Sequence, residues 1–222
     1  MGVLDLIFPI SCLGCGNVGE YLCGECLSKT KKARLFCLEC HKFSNGVVHP
    51  KCRKMLSVDF VYSLWNYDGV IRRAILKLKY NFAYKVAEEL AEKFVEKLKE
   101  DISGVPKSAI LIPIPLYRSR KNWRGFNQTE VMGKIIAERM NWNYEAGILV
   151  RKKKTSPQAE LRGKERTKNI HNAFALSSAY RLQNMQYIIF DDVLTTGSTL
   201  KEAGKVLKRR GAKTVFGLTI AA

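Results

Sequence analysis

The sequence predicts an α/β fold: a parallel sheet flanked by helices on both faces, preceded by a small metal-binding segment. Three observations predict it. From residue 108 onward, strand-like and helix-like stretches alternate, the order that a parallel sheet with crossover helices requires. Tyr187 to Phe190 is a run of four bulky residues, as in a strand buried on both faces. All seven cysteines fall within residues 12–52, and residues 53–222 hold none. The chain therefore divides into residues 1–57, a double metal ribbon, and residues 58–222, the α/β domain.

Length and charge bound the function. A chain of 222 residues with 46% hydrophobic residues buries a real core. The formal charge is +18, which points to a polyanionic partner, a phosphorylated ligand or nucleic acid. The excess is uneven: residues 115–170 hold 14 Lys+Arg against 5 Asp+Glu, a net of +9, while residues 58–114 hold 9 against 8. Runs of 18 apolar residues are absent, so no membrane insertion is expected. Met1 to Ile10 is apolar but lacks a basic start and a small-residue cleavage site, and is not read as a signal peptide.

The cysteines come in pairs with two residues between them: Cys12/Cys15, Cys23/Cys26 and Cys37/Cys40, with His49/Cys52 as a fourth pair. That spacing lets both side chains of a tight turn reach one tetrahedral ion, so the eight ligands suffice for two zinc sites. Sequential pairing gives Cys12/Cys15/Cys23/Cys26 and Cys37/Cys40/His49/Cys52; a cross-braced pairing would interleave them. The sequential one closes shorter loops and is favoured. Saturated sites leave no open position for chemistry, so the zinc is expected to be structural. Clustered cysteines of this kind suit a reducing compartment, the cytoplasm, better than a disulfide framework. His41 competes with His49 as a ligand, but only His49 keeps the spacing to a cysteine.

Phe60 to Tyr67 reads as a strand and Tyr67-Asp68-Gly69 as a turn. Val70 to Tyr80 is an amphipathic helix with Ile71, Ile75 and Leu78 inward and Arg72 and Arg73 in solvent. Ala83 to Lys99 is the clearest helix, with Val86, Leu90, Phe94 and Leu98 recurring every fourth residue. Ser108 to Ile114 is a buried strand closed by Pro113 and Pro115.

The stretch from Pro115 to Gln128 reads as a loop at that strand's end. Its cations Arg118, Arg120, Lys121 and Arg124 suit a pyrophosphate group, since the arginine fork binds phosphate oxygens in pairs. Tyr117, Trp123 and Phe126 interleave with them, a pattern that also suits stacking on single-stranded bases. Gln128 to Met140 continues as a helix with Val131, Ile135 and Ile136 inward. Residues 151–172 lack apolar periodicity and read as a long, basic, flexible loop, with Arg151, Thr155, Gln158 and Arg166 among its polar positions. Such a loop either closes over a polyphosphate or tracks a nucleic-acid backbone.

Tyr187 to Leu200 gathers the chemistry. After the strand come Asp191 and Asp192, then Thr195-Thr196-Gly197-Ser198-Thr199, then a helix to Arg210 that Gly211 ends. A helix N-terminus offers unpaired N–H groups and partial positive charge to a phosphate, and Gly197 lets the backbone approach it. The acids suit sugar hydroxyls or a divalent ion. A ligand carrying both phosphate and a vicinal diol fits, as a ribose 5-phosphate does. The stretch resembles the phosphoribosyl pyrophosphate (PRPP) signature of type I phosphoribosyltransferases at every position. The resemblance implies that Asp191 and Asp192 contact the ribose hydroxyls, that Thr195 through Thr199 cradle the 5-phosphate, and that Mg²⁺ accompanies PRPP. Val215 to Ala221 is the final strand.

Arg120, Arg124-Gly125-Phe126-Asn127-Gln128, Thr155, Gln158, Leu161, Arg166, Asn169 and Asn172-Ala173-Phe174 together resemble the pattern of the ComF family, as does a zinc ribbon joined to the PRPP signature. His49 stands where many relatives have cysteine, a change that preserves zinc binding. The resemblance implies a phosphoribosyltransferase-like fold and a role in DNA uptake during natural competence, handling single-stranded DNA in the cytoplasm, with other DNA-uptake proteins as possible partners of the ribbon. Three functions stay open at this point: a PRPP-binding protein that handles DNA, an enzyme transferring ribose 5-phosphate to a nitrogen acceptor, and a PRPP- or nucleotide-responsive regulator whose zinc ribbon binds a protein.

Overall fold

The computed structural model describes residues 9–78, 83–101, 108–153 and 169–222. In chain order the elements are α1 (Gly24–Ser28), β1 (Phe60–Trp65), α2 (Gly69–Lys77), α3 (Tyr84–Asp101), β2 (Ile110–Pro113), α4 (Arg118–Arg124), α5 (Gln128–Met140), β3 (Asn143–Tyr144), β4 (Leu149–Arg151), β5 (Phe174–Leu176), β6 (Gln186–Val193), α6 (Ser198–Arg209) and β7 (Thr214–Ala221). Five strands form one parallel sheet in the order β1-β7-β6-β2-β3. β4 and β5 pair antiparallel as a separate ribbon.

The alternation along β6 fixes the layers. Ile188 and Phe190 enter a core shared with α2, α3 and α5, and Tyr187 and Ile189 enter a second core shared with α6 and the β4-β5 ribbon. A parallel strand covered on both faces has no polar side, which is why this stretch reads as an unbroken apolar run. On α3 the expected stripe Val86, Leu90, Phe94 and Leu98 is buried, joined by Ala87, Ala91 and Val95. On α5 the buried stripe is Met132, Ile136 and Ala137, while Val131 and Ile135 are only half-buried. The face shifts because Gly133 lies against Leu111 and Phe190, bringing α5 close to the sheet.

The chain leaves β2 through α5 toward β3, and leaves β6 through α6 toward β7, in the opposite direction. β2 and β6 are neighbours, so a crevice opens between their carboxyl ends. That is where open α/β sheets bind ligands. The loops after β2 and β6, both marked in the sequence, form its two banks.

The N-terminal segment packs on both sides of this sheet. Leu22 is in the α2-α3 core and Leu38 in the α6 core, 0% and 1% exposed. The segments after each of them run along the outer edge of β1. Lys32 bridges Trp65 and Val47 bridges Phe60, both antiparallel, and the Ala33 and Val61 amides donate to the Leu64 and Gly46 carbonyls. These pairings occupy an edge that would otherwise invite association with another strand.

Candidate functional site

On one bank of the crevice, Asp191 and Asp192, both half-buried, lie near the carboxyl end of β6, just before Val193. The Asp191 carboxylate accepts from the Asp192 amide at 2.9 Å. Burial and the neighbouring Asp192 charge push the Asp191 carboxyl well above the usual carboxylate range. Such a pair favours a bound cation or hydroxyl donors, which relieve the repulsion. The loop then turns through Gly197, in the left-handed region at φ 69°, into α6. Gly197 has no side chain to occupy the first-turn N–H groups of α6. The Thr196 and Ser198 hydroxyls lie 3.0 Å apart beside them. The Ser198 amide donates to Thr196 Oγ1 at a long 3.4 Å, and backbone amides with hydroxyls in this arrangement are what a phosphate group requires.

The opposite bank carries the cations. The expected loop is in part a helix: Arg118–Arg124 forms α4, ended by Gly125 at φ 77°. Its apolar periodicity is nil, so the helix was hidden, yet it places Arg120 and Arg124 four residues apart on one face. Arg124 donates to Gln128 Oε1 at 3.0 Å, and Gln128 Nε2 donates to Asp192 Oδ2 at 3.2 Å. Gln128, 5% exposed, thus links a guanidinium on one bank to a carboxylate on the other. Arg151, expected in the flexible loop, lies instead in β4. Its guanidinium stacks 5.3 Å from the Phe174 ring centre, facing Asp191 and Arg120. Burial and the Arg120 charge pull Arg151 down to about 10, against the pull of Asp191. Burial likewise lowers Arg124, opposed by Asp192 and reinforced by Arg120. Arginines lowered by burial and by a neighbouring arginine are placed to receive an anion. Lys121 turns away to Glu130 at 2.8 Å, and Arg118 is exposed. Thr155, Gln158 and Arg166 lie outside the described residues.

A cavity of about 490 Å³ adjoins the cradle. Thr195 and Thr196 form one wall, Asn66 and Tyr67 after β1 another, and Arg34 and Phe36 from the N-terminal segment a third. No motif marks the last four, because they come from two segments distant in the chain that only the fold brings beside Thr195.

The cysteines group as the sequential pairing expects. Cys12/Cys15/Cys23/Cys26 form one cluster and Cys37/Cys40/His49/Cys52 the other, with ligand atoms in each within 4.8 Å of one another. The Cys15 and Cys23 sulfurs are 3.6 Å apart, and Cys40 Sγ is 3.4 Å from His49 Nδ1. A tetrahedral ion with metal–sulfur bonds of about 2.3 Å needs ligand separations of about 3.8 Å, so both sets fit. His49 Nε2 lies 3.2 Å from the Phe43 carbonyl, which can only accept. The proton therefore sits on Nε2 and leaves the Nδ1 lone pair for a metal. His41 is turned away at φ 59° and packs on Phe36. Despite burial, Cys12 is brought down to about 6 by backbone N–H groups, whereas burial and its neighbours push Cys26 up to about 12. Cys37 and Cys52 split likewise, to about 6 and about 11. Crowded thiols of this kind all ionise only around a cation.

Each cluster is tied to a helix on its own side of the sheet. Glu89 of α3 accepts from the Tyr21 and Leu22 amides at 3.0 and 2.7 Å. Lys201 of α6 donates to the Leu38 carbonyl at 3.2 Å and pairs with Glu39 at 3.2 Å.

The phosphoribosyl transferase domain family matches residues 80–221, which hold β2 to β7 and both banks of the crevice. The chain belongs to this family. Among curated relatives it is similar to DNA utilization protein YhgH of Salmonella typhi, 35% identical over 51% of this chain and 49% of that one. Competence protein F of Haemophilus influenzae is 35% identical over 47% of this chain and 46% of that one. Competence protein ComFC of Bacillus subtilis is 24% identical over 90% of this chain and 84% of that one. The chain spans about half the length of the first two. These relatives bear out the ComF-family resemblance read from the sequence. Among the described residues, no helix is long and apolar enough to cross a membrane.

Proposed function

We propose that this chain binds PRPP with Mg²⁺ in the switch-point crevice and serves DNA uptake by handling single-stranded DNA in the cytoplasm. The observation that carries the reading is the pairing of banks: two acids and an amide-lined phosphate cradle face Arg120, Arg124 and Arg151 across Gln128. Asp191 and Asp192 accept from the ribose hydroxyls. Their hard oxygens also suit Mg²⁺, which when bound supplies the charge that keeps Asp191 ionised. Thr195, Thr196, Ser198 and Thr199, with the α6 amides, hold the 5-phosphate, and Gly197 lets it approach. Arg120, Arg124 and Arg151 receive the pyrophosphate, where paired guanidinium donors bind best.

The DNA part of the reading rests on the charge of +18, on Trp123, 63% exposed on the same helix, α4, as Arg118 and Lys121, and on the names of the relatives. Both cysteine clusters hold structural zinc in this reading, and residues 1–57 offer a surface to other DNA-uptake proteins.

The cavity beside Thr195 and Thr196 favours a second reading, an active phosphoribosyltransferase. Phe36 and Tyr67 suit a flat acceptor, whose nitrogen forms the bond to the anomeric carbon as pyrophosphate leaves toward the arginines with the bonding electron pair.

The test is calorimetric titration of PRPP with Mg²⁺ into zinc-loaded protein, with and without single-stranded DNA. Binding that an Asp191→Ala/Asp192→Ala variant loses is the expected result. A steep fall of DNA affinity with salt, and a DNA-dependent PRPP affinity, are expected of the first reading. Absence of PRPP binding by the unaltered protein would refute both readings.

A further inference from the structure

The tip of the second metal knuckle touches the phosphate cradle. The knuckle is the turn Cys37-Leu38-Glu39-Cys40, closed by the Cys37 amide on the Lys42 carbonyl at 2.9 Å and by the Phe36–Phe43 bridge. Leu38, 1% exposed, lies against Gly197 so closely that a β-carbon at Gly197 would collide with it. Gly197 is the N-cap of α6, so its backbone sets the direction of the first-turn amides. One turn into α6, Lys201 holds the Leu38 carbonyl and Glu39, each at 3.2 Å. The knuckle is thus fastened to the first turn of α6 by one apolar contact and two polar ones. The first cluster is on the other face of the sheet, where Leu22 and Glu89 anchor it to the α2-α3 core.

We infer that the Cys37/Cys40/His49/Cys52 knuckle positions the phosphate cradle through Leu38, so that metal loading at this cluster, and not at the first, governs affinity for a phosphorylated ligand. The inference rests on the PRPP reading above. A glycine in the left-handed region is conformationally free, and Gly197 offers no side-chain cap of its own; the Thr196 hydroxyl accepts from the Ser198 amide only at a long 3.4 Å. Packing from Leu38 supplies the missing constraint. A preorganised cradle binds without the cost of ordering its amides. With the knuckle unloaded, the turn that carries Leu38 loses its closure, and Gly197 is released to sample other conformations. Leu38 and Lys201 are therefore positioning residues rather than ligand contacts, and oxidation or metal loss at the second cluster becomes a way to weaken phosphate binding while the sheet stays folded.

The two clusters provide a built-in control. PRPP with Mg²⁺ is titrated calorimetrically into full-length, zinc-loaded protein, well below its melting temperature, for the unaltered chain and for Leu38→Ala, Leu38→Met and Leu22→Ala. Leu38→Ala and Leu22→Ala remove the same side chain from equally buried positions on opposite faces. The expected result is a loss of affinity of about tenfold or more for Leu38→Ala, near-full recovery in Leu38→Met, whose volume is similar, and an affinity within about twofold of the unaltered chain for Leu22→Ala. Cys52→Ala is expected to behave as Leu38→Ala, and Cys15→Ala as Leu22→Ala. Lys201→Met cuts both polar ties without opening the core and reads the same coupling if Leu38→Ala does not fold. Equal affinities for the Leu38 and Leu22 variants, with the unaltered chain binding, would overturn the inference and leave the PRPP reading standing. No binding by the unaltered chain would overturn both.

Discussion

Replacing Gly197 with alanine adds one methyl group where the phosphate loop, the helix α6 and the second knuckle meet. Gly197 sits at φ 69°, ψ 4°. An L-residue in that region costs about 1–2 kcal/mol, offset by about 0.4–1 kcal/mol because alanine stiffens the unfolded chain. The new β-carbon also collides with Leu38, which is fully packed and has no solvent to move into. Overpacking of this kind costs about 1–3 kcal/mol. The net loss is about 1–5 kcal/mol, centred on about 3 kcal/mol, and at roughly 2–4 °C per kcal/mol for a chain of this size the melting midpoint falls by roughly 6–12 °C at the centre of that range. A double-mutant cycle separates the two causes. Leu38→Ala alone costs about 2–5 kcal/mol, but it opens the space the methyl needs. In that background Gly197→Ala retains only its dihedral penalty, so the two substitutions couple by about 1–3 kcal/mol. Denaturant unfolding of the four proteins, each zinc-loaded at the same free metal concentration, measures this. Strict additivity would mean that Leu38 does not occupy the space over Gly197, and the account of the knuckle resting on the phosphate loop would fail.

Three further outcomes are expected. The Asp191 carboxyl, raised by burial and by Asp192, contributes stability that is full below the ordinary carboxylate range and is lost as pH rises through its raised value. Asp191→Asn removes that loss, so it should raise the unliganded melting midpoint at neutral pH, flatten its pH dependence above the ordinary carboxylate range, and abolish PRPP binding; an unchanged pH profile in thermal melts would contradict this. Gln128→Leu keeps the volume but removes the amide between Arg124 and Asp192, two hydrogen bonds to charged groups worth about 3–6 kcal/mol together. Its unfolding free energy and PRPP affinity should both fall, and a variant indistinguishable in both would show that the link across the crevice is dispensable. Ser63 and Thr219, 2% and 0% exposed, share a hydrogen bond of 2.5 Å between β1 and β7. Thr219→Val should cost about 1–3 kcal/mol by stranding the Ser63 hydroxyl, and adding Ser63→Ala should recover most of it.

Much of this molecule was written in short segments. The metal clusters follow from Cys-x-x-Cys spacing, because a tight turn brings two thiols to one ion without help from the rest of the chain. The β6 strand, the acids after it and the Gly197 loop are contiguous, so one stretch of sequence carries a whole bank of the crevice. The stripe on α3 is legible because 3.6-residue periodicity is local. Helix α4 was not: it has no apolar stripe, and only Arg120 and Arg124, four apart before Gly125, hint at it. Nor was the β4-β5 ribbon, whose short strands flank the basic segment and lift Arg151 out of it onto Phe174.

Local sequence sets out the chemistry that each part suits: thiols suit a metal, hydroxyls and amides a phosphate, paired acids a diol or cation, and arginines a second anion. Tertiary structure alone decided which parts meet. The strand order makes β2 and β6 neighbours and so sets the arginine bank opposite the acid bank. The passage of the N-terminal segment along the edge of β1 sends one knuckle to each face of the sheet and brings Leu38 onto Gly197, far away in the chain. No local pattern encodes such a contact, because it depends on where two cores lie relative to one sheet, and that is settled only when the whole chain buries its apolar surface together.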